Sequence, residues 1–238
     1  MIAMVELPEN FLTWNYYPRR RTFLRILNGE KVDMNKFFLD STRHNPALAT
    51  ASLAHDGTLD VNAKIVGAGY VVKERFLNDA VERLSLHIEK GDVEFDKVES
   101  KKDKREFFEG YQARGMRVLL KVLYFDPKEA RERLDFTKMS TLELAANVPH
   151  SSQHTWSNVQ SSRRACLVFY RPPNISFELR CEIEIHTDSD YRHLVNRVHD
   201  SFHYTPQDQR KGRPAYIFSI EEVYDNSPTP DGFGKRIA

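Results

Sequence analysis

The clearest pattern along the chain lies at residues 176–186, where Phe177, Leu179, Cys181, Ile183 and Ile185 alternate with Ser176, Glu178, Arg180, Glu182, Glu184 and His186. A strict period of two over that length predicts a strand with one face on a core and the other on water. Immediately upstream, residues 165–170 are apolar on both faces and predict a strand buried on both sides. Arg171-Pro172-Pro173-Asn174 cannot continue a ladder, so the two strands close as a hairpin. A second hairpin is predicted earlier. Residues 45–53, mostly small, form one arm, and His55-Asp56-Gly57 makes the turn, because Asp-Gly tolerates the positive φ of tight turns. The return arm sets Leu59, Val61, Ala63 and Ile65 against Thr58, Asp60, Asn62 and Lys64. Its polar set faces water or a polar cavity.

The remaining segments are less regular. Residues 1–22 mix aromatic and basic side chains without clear periodicity and read as an arm packed on the body. Residues 23–27 and 34–39 are short helical candidates parted by Asn28-Gly29. Phe76, Leu77, Ala80, Val81, Leu84 and Ile88 recur at helical spacing, predicting a helix over 75–90 that Gly91 ends. Residues 92–115, dense in both charge signs, read as flexible or solvated. Residues 117–125 (RVLLKVLYF) read as an apolar strand, and Asp126-Pro127-Lys128-Glu129 starts a short capped helix. Asp188 or Ser189 caps a further helix that buries Tyr191, Leu194, Val195, Val198 and Phe202, and 215–224 is another strand. Hairpins, few crossovers and peripheral helices predict a mainly β, α+β fold: an antiparallel barrel with added helices.

Composition narrows the partners. The chain has 238 residues, 29% of them charged, with a formal net charge of +1. That balance provides no global field to draw nucleic acid or an anionic membrane, so neither is expected as a partner. No apolar run is long enough to span a bilayer, and the first residues lack the apolar core of a secretory signal. A cytoplasmic protein is expected, with Cys166 and Cys181 reduced and buried.

Several constellations carry candidate chemistry. His199 and His203 are spaced as two metal ligands on one helical face, but no third ligand accompanies them, and solvated or capping histidines are the ordinary account. Cys166, Cys181 and His186 admit a metal reading that the strand alternation opposes, since it buries Cys181 among apolar neighbours. Glu182 and Glu184 lie on the polar face of a strand, where carboxylates are usually just solvated. Ser151 or Ser152 with His154 would suit a hydrolase, but no nucleophile elbow surrounds them. His150, Ser151, Ser152, His154, Thr155, Ser157 and Asn158 form a polar cluster leading into a helical turn at 155–160. A helix N-terminus offers unpaired N–H groups and partial positive charge, which suits a phosphate; a Ser-rich N-cap is the plainer account.

Taken in order, these segments resemble the FMN-binding split-barrel family related to pyridoxamine 5′-phosphate oxidase. Pro46-Ala47-Leu48-Ala49-Thr50 through Asp56-Gly57 to Ile65 is similar to its opening hairpin. Residues 140–147, then Ser151-Ser152-Gln153-His154-Thr155, Asn158-Val159 and 165–170, follow its strand, phosphate loop, short helix and buried strand. Arg180-Cys181-Glu182-Ile183-Glu184-Ile185 resembles its Arg-Gly-x-Ala-x-Val strand, and Ile220-Glu221-Glu222-Val223-Tyr224 before Ser227-Pro228 its closing strand. The resemblance implies an antiparallel split β-barrel formed by residues 46–66 and 139–226, with an arm and short helices at 1–45. A helical and strand insertion would occupy 67–138, and a tail 227–238. It further implies an FMN-dependent oxidoreductase acting on a small-molecule substrate. Ser151, Ser152, His154 and Thr155 would hold the phosphate, with Asn62 and Lys64 beneath the phosphate or ring. Members are commonly homodimers with the cofactor at the subunit interface, so Arg180 or the last strand would complete a partner's site. The chain departs from the pattern at Asn62, where the family often has Arg, and at His154 and Thr155, where it has a basic pair; Lys64 on the same strand face is the candidate replacement. A non-enzymatic barrel holding haem, a deazaflavin or no cofactor is the alternative reading. No catalytic acid or base is identified, though His154 is the first candidate, since histidine exchanges protons near neutrality.

Overall fold

The computed structural model describes residues 4–54, 56–146, 148 and 153–238. The chain opens with a 19-residue helix, α1 (Glu9–Leu27), rather than a loose arm. Phe11, Leu12, Asn15, Tyr16 and Phe23 share one buried stripe of it. Phe11 meets Phe169 and Phe177 edge to face, with ring centroids 5.1 and 5.3 Å away. The Tyr16 hydroxyl donates to Leu123 O at 2.9 Å and accepts from Phe125 N at 2.8 Å. Gly29, at φ +74°, lets the chain turn off the helix end. α2 (Met34–Ser41) follows, its first N–H groups capped by the Asp33 carboxylate.

β1 (Ala47–Leu53) and β2 (Leu59–Ile65) form the first predicted hairpin, with Gly57 at φ +81° in its turn. His55 of that turn lies outside the described residues. Next come β3 (Gly69–Val72), α3 (Leu77–Phe95), α4 (Lys101–Val122), α5 (Pro127–Arg133) and β4 (Leu134–Leu142). α6 (His154–Ser161), β5 (Arg164–Arg171), β6 (Ile175–His186), α7 (Asp190–Phe202), β7 (Ala215–Asp225) and β8 (Lys235–Arg236) complete the chain. Neighbouring strands are antiparallel in the order β2-β1-β5-β6-β7-β4-β3, with β8 beside β7. The sheet does not close: β2 and β3 stand at its two ends. An α+β split barrel with peripheral helices is therefore the fold, as the resemblance implied, but the sheet is open where the hairpin pattern predicted a mainly β barrel, and more residues lie in helices than in strands.

Several elements differ from expectation for identifiable reasons. β5 is not buried on both faces; Leu167 and Phe169 are buried, while Cys166 and Val168 on the other face are only partly covered and Tyr170 is exposed. α3 runs through Gly91 to Phe95, and the glycine serves packing: a Cβ there would lie 2.3 Å from Tyr111 Cε2 of α4. The charge-dense stretch is the solvent face of α4, which starts at a Ser100–Asp103 capping box and carries i,i+4 pairs such as Arg105–Glu109 at 2.8 Å. The expected strand at 117–125 is mostly its last turns, with Met116, Leu119 and Val122 buried at spacings of three. Within 67–138, β3 and the start of β4 belong to the barrel sheet, and α3, α4 and α5 lie between them. The C-terminal tail folds back: β8 pairs with β7, and Ala238 O accepts from Val223 N at 3.0 Å.

Two glycines of α4 test this helical layer against each other. A Cβ on Gly115 would sit 1.9 Å from the Ser201 carbonyl oxygen, whereas one on Gly110 would meet only the end of Arg114 at 3.5 Å. Gly115→Ala is expected to lower stability by about 1–3 kcal/mol through overpacking. Gly110→Ala is expected to raise it by up to about 1 kcal/mol through helix propensity. Urea unfolding of the two variants checks the contrast in sign.

Candidate functional site

β2 is an edge strand, and its polar face turns inward beneath α6. Thr155, Asn158 and Val159 of α6 are buried against β1 and β2. Asn62 Nδ2 donates to Thr155 Oγ1 at 2.5 Å, tying the middle of β2 to the first turn of the helix. His154 Nδ1 lies 3.7 Å from Asp60 Oδ2, one alternation away along the strand. On β1, Ser52 Oγ donates to Asn158 Oδ1 at 2.8 Å, and Asn158 Nδ2 reaches Thr50 O and Oγ1 at 3.4 Å each. Gln153, at the N-cap with φ 51°, gives the helix no side-chain cap. The first N–H groups of the helix have no intrahelical acceptors by geometry.

The next inward position, Lys64, meets a group that the sequence reading missed. Lys64 Nζ lies 2.6 Å from Glu143 Oε2, and the Glu143 side chain is fully buried. The same carboxylate accepts from the Tyr216 hydroxyl at 3.0 Å and from Ala145 N at 2.9 Å. Burial and then the Glu143 charge push the Tyr216 phenol far above its ordinary pKa, so it stays a donor. The available signal was a lone acid in an apolar run, Leu142-Glu143-Leu144-Ala145-Ala146, which marks a buried carboxylate in need of a cation.

Four of the six residues expected at the site (Asn62, Lys64, His154 and Thr155) thus stand together on β2 and the start of α6. Ser151 and Ser152 lie outside the described residues, as does His150 of the polar cluster. The other constellations do not converge. His199 Nδ1 faces Asp200 Oδ1 at 3.1 Å, and the His199 and His203 rings sit 5.3 Å apart. Among the described residues, no group of three His, Cys, Asp or Glu side chains could hold a metal ion. Burial pushes the Cys166 thiol up to about 11 and the Cys181 thiol higher still, which keeps both protonated at neutral pH. Among the described residues, no helix is long and apolar enough to cross a membrane.

The outer face of the same hairpin is apolar and uncovered. Leu53, Leu59, Val61 and Ile65 are 71%, 60%, 64% and 70% exposed. The alternation at 58–65 is that of a strand, and its hydrophobic half faces outward.

No protein-family model and no curated protein matches the chain. Solved structures with a similar course include the HupZ protein of Group A Streptococcus, at 8% identity over 83% of this chain and 96% of that one, with a TM-score of 0.36. An F420 reductase is similar at 11% identity over 77% and 90% of the two chains, TM-score 0.35. A provisionally assigned pyridoxamine 5′-phosphate oxidase from Listeria innocua is similar at 8% identity over 81% and 98%, TM-score 0.38. Likeness at this level carries no argument about chemistry, so function rests on the chain's own residues.

The Lys64–Glu143 pair yields a stability prediction. Lys64→Met leaves a buried carboxylate without its cation and is expected to cost about 3–5 kcal/mol. Adding Glu143→Gln to it is expected to restore most of that loss. A double-mutant cycle by chemical denaturation checks this; equal losses in single and double variants would contradict it.

Proposed function

We propose that the chain is a cytoplasmic FMN-binding oxidoreductase acting on a small molecule, with the cofactor phosphate held between β2 and the first turn of α6. The observation that carries the reading is the Asn62–Thr155 bond, which sets two polar surfaces edge to edge at a helix N-terminus. The residues there suit an anion. Thr155 Oγ1 accepts from Asn62 and so retains its own proton to donate, and Asn62 Nδ2 keeps a second hydrogen. Lys64 binds Glu143 through one of three ammonium protons, and the His154 side chain is 55% exposed beside the helix end. Ser151 and Ser152 would complete the phosphate loop. A bound flavin would supply the electron-transfer chemistry, while the protein orients it and excludes side reactions.

The uncovered face of β1 and β2 supports a homodimer. Four large apolar side chains on one edge hairpin exceed the scattered exposure of a monomer surface and suit an interface between two copies. A second copy seated there would lie one strand's thickness from the phosphate groups. Lys64 also favours a second reading, a barrel without a flavin, because its charge is already matched by Glu143. Haem or a deazaflavin in place of FMN would show in the same measurement.

The absorbance spectrum of the purified protein, followed by titration with FMN, distinguishes these readings. Flavin bands, or saturable FMN binding, are expected. His154→Ala with Thr155→Val is expected to weaken binding about 10- to 100-fold, the loss of one or two phosphate hydrogen bonds. A Soret band, or a colourless protein indifferent to FMN, would exclude the reading. Val61→Glu is expected to halve the mass in sedimentation equilibrium without unfolding the protein; an unchanged mass would place any dimer contact elsewhere.

A further inference from the structure

Away from β2 and α6, helices α3 and α7 and the segment 207–213 line a solvent-open cavity of about 310 Å³. Four arginines line it: Arg192, Arg197, Arg210 and Arg213. Two are matched. Arg210 forks onto Asp92 at 2.8 and 2.6 Å, and Arg213 onto Asp200 at 3.0 and 2.6 Å. The other two are not. Arg192 Nε donates to the Arg213 carbonyl oxygen at 3.2 Å. Arg197 reaches only the Ser85 hydroxyl and His193 Nδ1, the latter at 3.3 Å. Both side chains are half-buried, and among the described residues neither pairs with a carboxylate. The remaining acid on the cavity, Glu89, is exposed and pairs with neither guanidinium.

Half-buried cations that pair directly with no carboxylate cost stability that an incoming anion would restore. Burial pulls the Arg197 guanidinium below the ordinary arginine range, with Asp200 and Glu89 opposing. The wall is unfinished in a second way. Arg213 Nε and Asn196 Oδ1 are buried with no hydrogen-bond partner, on side chains more than nine-tenths buried. Unfilled donors and acceptors of this kind ask for an explanation, and a polar occupant of the cavity is one.

We infer that this cavity is a binding site for the phosphate group of a small metabolite, with Arg192 and Arg197 as its counter-ions. Two guanidinium groups that pair with no carboxylate call for an anion of more than one charge and several acceptor oxygens, which describes a phosphate monoester better than a single carboxylate. The volume lies at the lower end of ligand pockets, so the rest of the molecule is small. None of these residues belongs to the β2–α6 site, and α3 gives the helices between β3 and β4 a role in binding.

Thermal unfolding and calorimetric titration of the full chain with inorganic phosphate, at ionic strength fixed with chloride, test the inference. Phosphate is expected to raise Tm by several degrees. Arg192→Gln with Arg197→Gln is expected to abolish that shift without lowering Tm in chloride alone. Glu89→Gln, at an exposed position, is expected to bind phosphate severalfold tighter. FMN binding is expected to be unchanged in each variant, which keeps this test separate from that of the flavin site. An equal phosphate shift in the wild type and the double variant, or no shift beyond that of chloride, would overturn the inference. If the double variant does not fold, Glu89→Gln decides: an unchanged phosphate affinity overturns it.

Discussion

The contact between the Lys64 ammonium and the Glu143 carboxylate joins a charge in the core to a strand at the sheet edge. A fully buried carboxylate needs a cation as well as hydrogen bonds, and Tyr216 and Ala145 provide only the bonds. Lys64 meets that need only if the even-numbered face of β2 points inward. Because strand side chains alternate, the same choice brings Asn62 under Thr155 and Asp60 toward His154. It also turns Leu59, Val61 and Ile65 outward. A slip of one residue would reverse every one of these placements.

The cost of that arrangement is exposed apolar surface, and the magnitudes explain why it persists. Covering a large aliphatic side chain is worth about 1.5–3 kcal/mol, so the outward face opposes the pairing with comparable strength. A second molecule against the hairpin would satisfy both demands at once. The proposed dimer and the proposed phosphate site would then be two consequences of one strand orientation. Elsewhere the barrel relies on helices: α1 fills its interior with aromatic rings, and α3, α4 and α7 pack closely where Gly91 and Gly115 remove a side chain from the path. That helical layer leaves arginines of α7 facing a cavity rather than carboxylates.

How much of this was legible depended on whether a segment's periodicity survived its own composition. Residues 176–186 and 58–65 alternate without interruption, so β6 and β2 could be read directly. α1 could not, because Arg19, Arg20 and Arg21 and the rings of Trp14 and Tyr17 obscure a stripe carried by Phe11, Leu12, Asn15, Tyr16 and Phe23. α4 was hidden by charges that pair along its solvent face, although its Ser100–Asp103 start was written in the chain. At the candidate site, Asn62, Lys64, His154 and Thr155 were accessible through their place in an ordered set of motifs. Glu143 was not, since a carboxylate's burial depends on Lys64 and Tyr216, which are distant in sequence. The direction of the apolar face was equally out of reach, because alternation defines two faces without saying which one is inside.

Nuclear Overhauser contacts across β2 and α6, in protein with labelled methyl groups and side-chain amides, test that orientation most directly. The account predicts a contact between the Asn62 amide protons and the Thr155 methyl, and none between the Val61 methyls and Thr155. Val61 methyls in contact with Thr155, with the Asn62 amide exchanging freely with water, would contradict it.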